Sequence, residues 1–123
     1  MRLKRILVAC VATVGVSASI ATSTEVEDTP GAAADVSITS CVLYGSGGPV
    51  ATLEILNSTS QTALYTIGVE FEGDGLREFG QVSVPGVVRL QVATANVTPS
   101  SSVAWPEDEK VRCRIDSVTR RPD

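Results

Sequence analysis

Histidine is missing from this sequence altogether. That removes the side chain best suited to general acid–base work near neutral pH, and the commonest protein ligand for transition metals. Lysine is almost missing as well, with Lys4 and Lys110 only. The many Ser and Thr hydroxyls therefore have no evident base to activate them, Lys110 being the sole candidate outside the N-terminal segment. No glycine-rich phosphate loop is present. Basic charge is also short: ten Lys and Arg stand against fourteen Asp and Glu, a net −4, which argues against nucleic acid as a partner. Aromatic residues make up only 4% of the chain, so any core must be built mainly from Val, Leu and Ile. No window repeats its apolar residues at helical spacing.

What is present begins with an N-terminal pattern of its own. Arg2, Lys4 and Arg5 precede a run of small and apolar residues from Ile6 to Ala21, after which the chain turns polar at Thr22-Ser23-Thr24-Glu25. A charged start, an apolar stretch and a small-x-small end at Ser19-Ile20-Ala21 form the pattern of a secretory signal peptide, here residues 1–21. The apolar run is shorter than the ~20 residues a membrane span needs, and Thr13, Gly15, Ser17 and Ser19 dilute it. Two alternatives keep the chain at the membrane: a retained signal anchor, or a lipid on Cys10, which ends a lipobox-like Leu7-Val8-Ala9-Cys10. Against the lipid, apolar sequence continues well past Cys10. Cleavage after Ala21 leaves 102 of 123 residues and, with three basic residues gone, moves the net charge from −4 to −7. The expected product is acidic, extracytoplasmic and without a stable membrane span.

Export also resolves the odd cysteine count. Loss of Cys10 leaves Cys41 and Cys113, and two cysteines in an oxidising compartment are expected to form one disulfide. Without C-x-x-C spacing, the pair reads as structural rather than redox-active.

Residues 22–34 carry acids, Pro30-Gly31 and three alanines without periodicity, and are expected to form a flexible leader. From Asp35 to Arg120 the chain alternates with period two. Val36 and Ile38 lead, then a phase shift toward Cys41 and Leu43 signals a bulge. Ala51, Leu53 and Ile55 follow, and Ala63, Tyr65, Ile67, Val69 and Phe71 share one face of the clearest strand. Gly73-Asp74-Gly75 and Pro85-Gly86 read as turns, Val88, Leu90 and Val92 as a strand, and Val111, Cys113 and Ile115 as the last strand, with Val118 out of phase. Six or seven short strands in about 100 residues predict an all-β fold, an immunoglobulin-like antiparallel β-sandwich, with a small barrel as the alternative.

Several of these features also occur together in a known family. The first strand bears Cys41, a second ends Leu56-Asn57-Ser58-Thr59, and Tyr65-Thr66-Ile67-Gly68-Val69-Glu70-Phe71 runs into Gly73-Asp74-Gly75. Val84-Pro85-Gly86 and a final Cys113-Arg114-Ile115-Asp116-Ser117-Val118-Thr119-Arg120 complete the series. Over residues 35–120 this resembles the FxLYD-type β-sandwich domains of exported proteins and lipoproteins in Gram-positive bacteria. It departs from that pattern at Phe71-Glu72-Gly73-Asp74, where the family name implies Phe-x-Leu-Tyr-Asp. The resemblance implies the fold and an extracytoplasmic location, and no catalytic residues.

Among candidate sites, Glu107-Asp108-Glu109 could offer oxygen ligands to Ca²⁺, but it lacks the alternating spacing of a calcium loop and reads as a solvated turn. Glu70 and Glu72 lie two apart on one strand face, an arrangement glycosidic carboxylates share with any solvated strand. Asn57-Ser58-Thr59 and Asn96-Val97-Thr98 match the glycosylation acceptor pattern, but fit strand ends equally. Trp105 follows Ser100-Ser101-Ser102 in a loop-like stretch. Exposed, its indole is a partner contact; turned inward, it caps the sandwich core. No catalytic residue, metal ligand or cofactor is expected. The function expected is a non-enzymatic binding module of the bacterial envelope or secretome, with another envelope or extracellular protein as partner; the alternative is a small secreted protease inhibitor docking through Thr98 to Glu109.

Overall fold

The computed structural model describes residues 29–44, 48–101 and 103–123; the signal-peptide and Cys10 readings, and the turn at Gly45-Ser46-Gly47, fall outside these residues. A single 3-10 turn, Ala32–Asp35, precedes six strands: β1 Val36–Leu43, β2 Pro49–Leu56, β3 Ala63–Gly73, β4 Leu76–Val87, β5 Val92–Val97 and β6 Arg112–Pro122. They form two three-stranded antiparallel sheets, ordered β1-β2-β5 and β4-β3-β6. The architecture is all-β and sandwich-like. No helix among the described residues is long and apolar enough to cross a membrane.

Alternation explains why the two sheets face each other. Ala51, Leu53 and Ile55 of β2 and Ala63, Tyr65, Ile67, Val69 and Phe71 of β3 are all buried, joined by Val97 and Val118. Successive side chains point to opposite faces, so one apolar stripe per central strand suffices to build a common core. The expected phase shifts are bulges. Thr39 is the extra residue of β1 between Ile38↔Leu53 and Ser40↔Thr52. Asp116 plays that part in β6, between the pairs Val69↔Ile115 and Gly68↔Ser117, and this returns Val118 to the core face opposite Ile67.

The open sides of the sandwich are closed by different means. On one side the Cys41–Cys113 disulfide joins β1 to β6 across the sheets, 72 residues apart in sequence. A loop of that size is worth roughly 4 kcal/mol in the chain-entropy account. On the other, Ser100 donates from its backbone N–H (2.9 Å) and its hydroxyl (3.0 Å) to the Phe79 carbonyl. Gly80 makes that approach feasible, because a Cβ there would lie 2.1 Å from the Thr98 carbonyl oxygen.

Two expectations are corrected. Pro85-Gly86 is not a turn. β4 runs through it to Val87, and Ala63↔Val87 and Tyr65↔Val84 bracket one extra residue, with Gly86 at φ 66°. Val88 to Val92 is not a strand. Leu90 adopts φ 61° and donates its N–H to the Asn57 carbonyl (2.9 Å), leaving Val88, Leu90 and Val92 exposed while β5 begins only where Val92 pairs with Leu56. Contacts with the sandwich also precede Asp35. Thr29 donates its N–H to Val118 O (3.0 Å) and exchanges hydroxyl hydrogen bonds with Arg120, and Ala32 is fully buried.

Candidate functional site

The residues singled out in the sequence are placed individually. Cys41 and Cys113 are bonded to each other. Trp105 is 5% exposed and belongs to the core cluster, its ring close beside Gly73, where a Cβ would come within 2.8 Å of it. The indole therefore takes the capping position rather than the exposed one. Its Nε1–H has no hydrogen-bond partner among the described residues. Glu109 accepts a hydrogen bond from the Asp74 backbone N–H and braces the β3–β4 turn. Among the described residues no group of three or more His, Cys, Asp or Glu is arranged to hold a metal ion. Asn57 is fully buried: its Nδ2 donates to Gln61 O (2.7 Å) and Val87 O (2.8 Å), while its Oδ1 accepts from Thr59 N–H (2.9 Å) and Oγ1 (2.6 Å). Asn96 on β5 accepts from the Thr52 hydroxyl across the strand pair (3.0 Å).

Two polar arrangements emerge that composition did not single out. At the end of the sandwich where β1 begins, the buried Asp35 carboxylate accepts from Tyr65 OH (2.5 Å), Arg120 NH1 (2.9 Å) and Ser58 N–H (3.3 Å). Burial alone would raise the Asp35 pKa, but the hydrogen bonds from Tyr65, Ser58 and Arg120 outweigh it and hold the carboxyl below its ordinary value. Burial, reinforced by the bond to Asp35, pushes the Tyr65 phenol up to about 12. Every partner here is tied to another, so the cluster joins the 3-10 turn, the β2–β3 loop, β3 and β6 into one fixed corner.

The second arrangement covers the outward face of the β4-β3-β6 sheet. Glu70 lies between Arg77 Nε (2.7 Å) on β4 and Arg114 on β6, and Glu72 between Arg77 (3.9 Å) and Arg112 (3.5 Å). These are cross-strand ion pairs, set by the pairing Glu70↔Arg114 and Glu72↔Arg77 and Arg112. Next to this charged row is an open groove of about 500 Å³, lined by Gly68, Phe79, Gly80, Gln81, Ser100, Asp116 and Ser117. Glu70 and Glu72 are thus neutralised by arginines, not presented as a catalytic pair. The groove, with its own polar groups, lies one row away.

No family model, no curated protein and no solved structure matches this chain.

Proposed function

We propose that this chain is an exported, non-enzymatic β-sandwich module that binds another component of the bacterial envelope or secretome. The observation that carries this reading is the Cys41–Cys113 crosslink between the two sheets, because such a bond persists in oxidising compartments. The signal-like N-terminal sequence supports the same placement. We read the topology as immunoglobulin-like: β1-β2-β5 corresponds to strands A-B-E of that sandwich and β4-β3-β6 to C′-C-F. The resemblance of residues 35–120 to FxLYD-type domains supports the same reading.

Expression of the full chain in a Gram-positive host tests the location. Mass spectrometry of the recovered protein is expected to find an N-terminus after Ala21 and no titratable thiol. Cytoplasmic retention with Cys41 and Cys113 both as free thiols would defeat the reading. Passing the exported protein over envelope proteins and wall fractions tests the role, with specific retention expected and catalytic turnover without a stable partner counting against it.

The protease-inhibitor alternative draws on Thr98 to Glu109. The bond of Ser100 to Phe79, the burial of Trp105 and the bond of Glu109 to Asp74 hold these three residues in place before any partner arrives, as an inhibitor requires of its docking segment. Inhibition of secreted proteases at stoichiometric protein would favour it over the first reading.

A further inference from the structure

We propose that the groove on the outward face of the β4-β3-β6 sheet is a binding site for a neutral glycan chain; this rests on the reading of the protein as an exported binding module and names the ligand class of that module.

The groove exists because a bulge in β6 and two glycines, one on β3 and one on β4, lie at the same level of the sheet. On β3, Gly68 leaves the floor without a side chain, and a Cβ there would stand 2.7 Å from Ser117 Oγ and 3.9 Å from Asp116 Oδ2. On β6, the bulge at Asp116 places Asp116 and Ser117 together along one wall. Bulges commonly re-aim side chains in this way beside functional sites. On β4, Gly80 draws the 98–101 segment close enough for Ser100 to line the opposite rim.

The lining specifies the ligand. Phe79 is 47% exposed on edge strand β4, among the polar Gln81, Ser100, Asp116 and Ser117 of the lining, which offers an apolar platform to the C–H face of a sugar ring. Asp116 and Gln81 have no side-chain hydrogen bond or ion pair among the described residues, so a carboxylate and an amide remain to engage hydroxyls as acceptor and donor. Ser117 and Ser100 add hydroxyl oxygens. No basic side chain lines the groove, and the nearby Arg77 and Arg114 are held on Glu70, so an anionic or phosphorylated ligand finds no counter-charge. An apolar peptide would leave Asp116 and Gln81 unpaired, and strand addition uses a sheet edge rather than a face. An open trough with one ring and several hydroxyl-matching groups suits a chain of neutral sugars.

The test uses the purified exported protein, hexasaccharides of glucose and of N-acetylglucosamine, and isolated peptidoglycan sacculi. Amide NMR shifts on titration are expected at Gly68, Gln81, Asp116 and Ser117. Phe79→Ala and Asp116→Asn are expected to weaken binding at least about tenfold with unchanged thermal unfolding, whereas Thr94→Ala on the opposite sheet leaves it intact. Retention on sacculi together with N-acetylglucosamine chains places the source of the ligand in the wall; binding of glucose chains alone places it outside. The inference is overturned if no sugar or sacculus binds, if binding ignores both groove substitutions, or if peptides alone shift the groove resonances. Retention of an envelope protein without any glycan binding would overturn this inference and leave the binding-module reading standing; failure of every envelope component and glycan would remove both.

Discussion

Asp35 and Glu70 are both almost fully buried carboxylates paired with arginine, at 4% and 3% side-chain exposure, yet they sit in unlike surroundings. Around Asp35 the partners are themselves withdrawn from water: Tyr65 is fully buried and the Arg120 side chain is 16% exposed. Around Glu70 the partners, Arg77 and Arg114, are 62% and 72% exposed and cover the carboxylate from the solvent side. The same residue types thus form a corner brace in one place and a surface latch in the other. What a buried carboxylate contributes depends on whether its partners can return to water once it is gone.

That comparison can be broken most directly at Asp35. Asp35→Ala strands the Tyr65 hydroxyl and the Arg120 guanidinium and should destabilise the fold by about 3–5 kcal/mol in denaturant titration. Tyr65→Phe removes one donor from the same carboxylate while keeping the ring in the core, and a loss of about 1–3 kcal/mol is expected.

The pH dependence follows from the same pair. Asp35 is held ionised below its ordinary pKa of 3.8, so its contribution is present above that value and is lost as pH falls through the lower folded-state value. Tyr65 is raised to about 12, so its contribution is complete below 10 and fades between 10 and about 12. Unfolding midpoints followed from neutral pH in both directions should decline at both ends, with Asp35→Asn flattening the acid limb and Tyr65→Phe the alkaline one. The smallest effect belongs to Glu70. Glu70→Gln should change stability by less than about 1 kcal/mol, and 1 M salt should abolish the difference, because the freed arginines regain solvent. A Glu70→Gln loss as large as that of Asp35→Ala would end the distinction.

Much of the fold was legible because alternation is a local consequence of strand geometry. The five-residue stripe from Ala63 to Phe71 is buried as expected. So were two of the irregularities, since a bulge shifts the apolar phase by one and leaves a trace at Cys41 and at Val118. Pro85-Gly86 misled for a physical reason. The pair favours a turn, but β4 is an edge strand, where a missing N–H and a positive φ can be accommodated without a break. Val88-Arg89-Leu90-Gln91-Val92 misled because its alternation is real while its hydrogen bonds are not those of a strand. Leu90 is turned to φ 61° by its bond to Asn57, a residue the sequence does not place beside it.

The candidate groove was less legible. Gly68, Phe79, Gln81, Ser100 and Asp116 come from three strands and a loop, and none forms a motif with its sequence neighbours. Asp35 was expected to open the first strand, and nothing in its neighbourhood announced Tyr65 or Arg120 as partners.

The sequence by itself settled which residues of the central strands β2 and β3 turn inward, the all-β character, the cysteine pair available for bonding and the shortage of general bases, because each follows from residue type or from spacing of two. Only the tertiary structure decided that Trp105 turns inward, that Asp35 meets Arg120, and that a bulge, a glycine and an exposed ring lie at one level of one face. Those outcomes depend on register between strands far apart in the chain, and register is fixed by the packing of the whole core rather than by any segment alone.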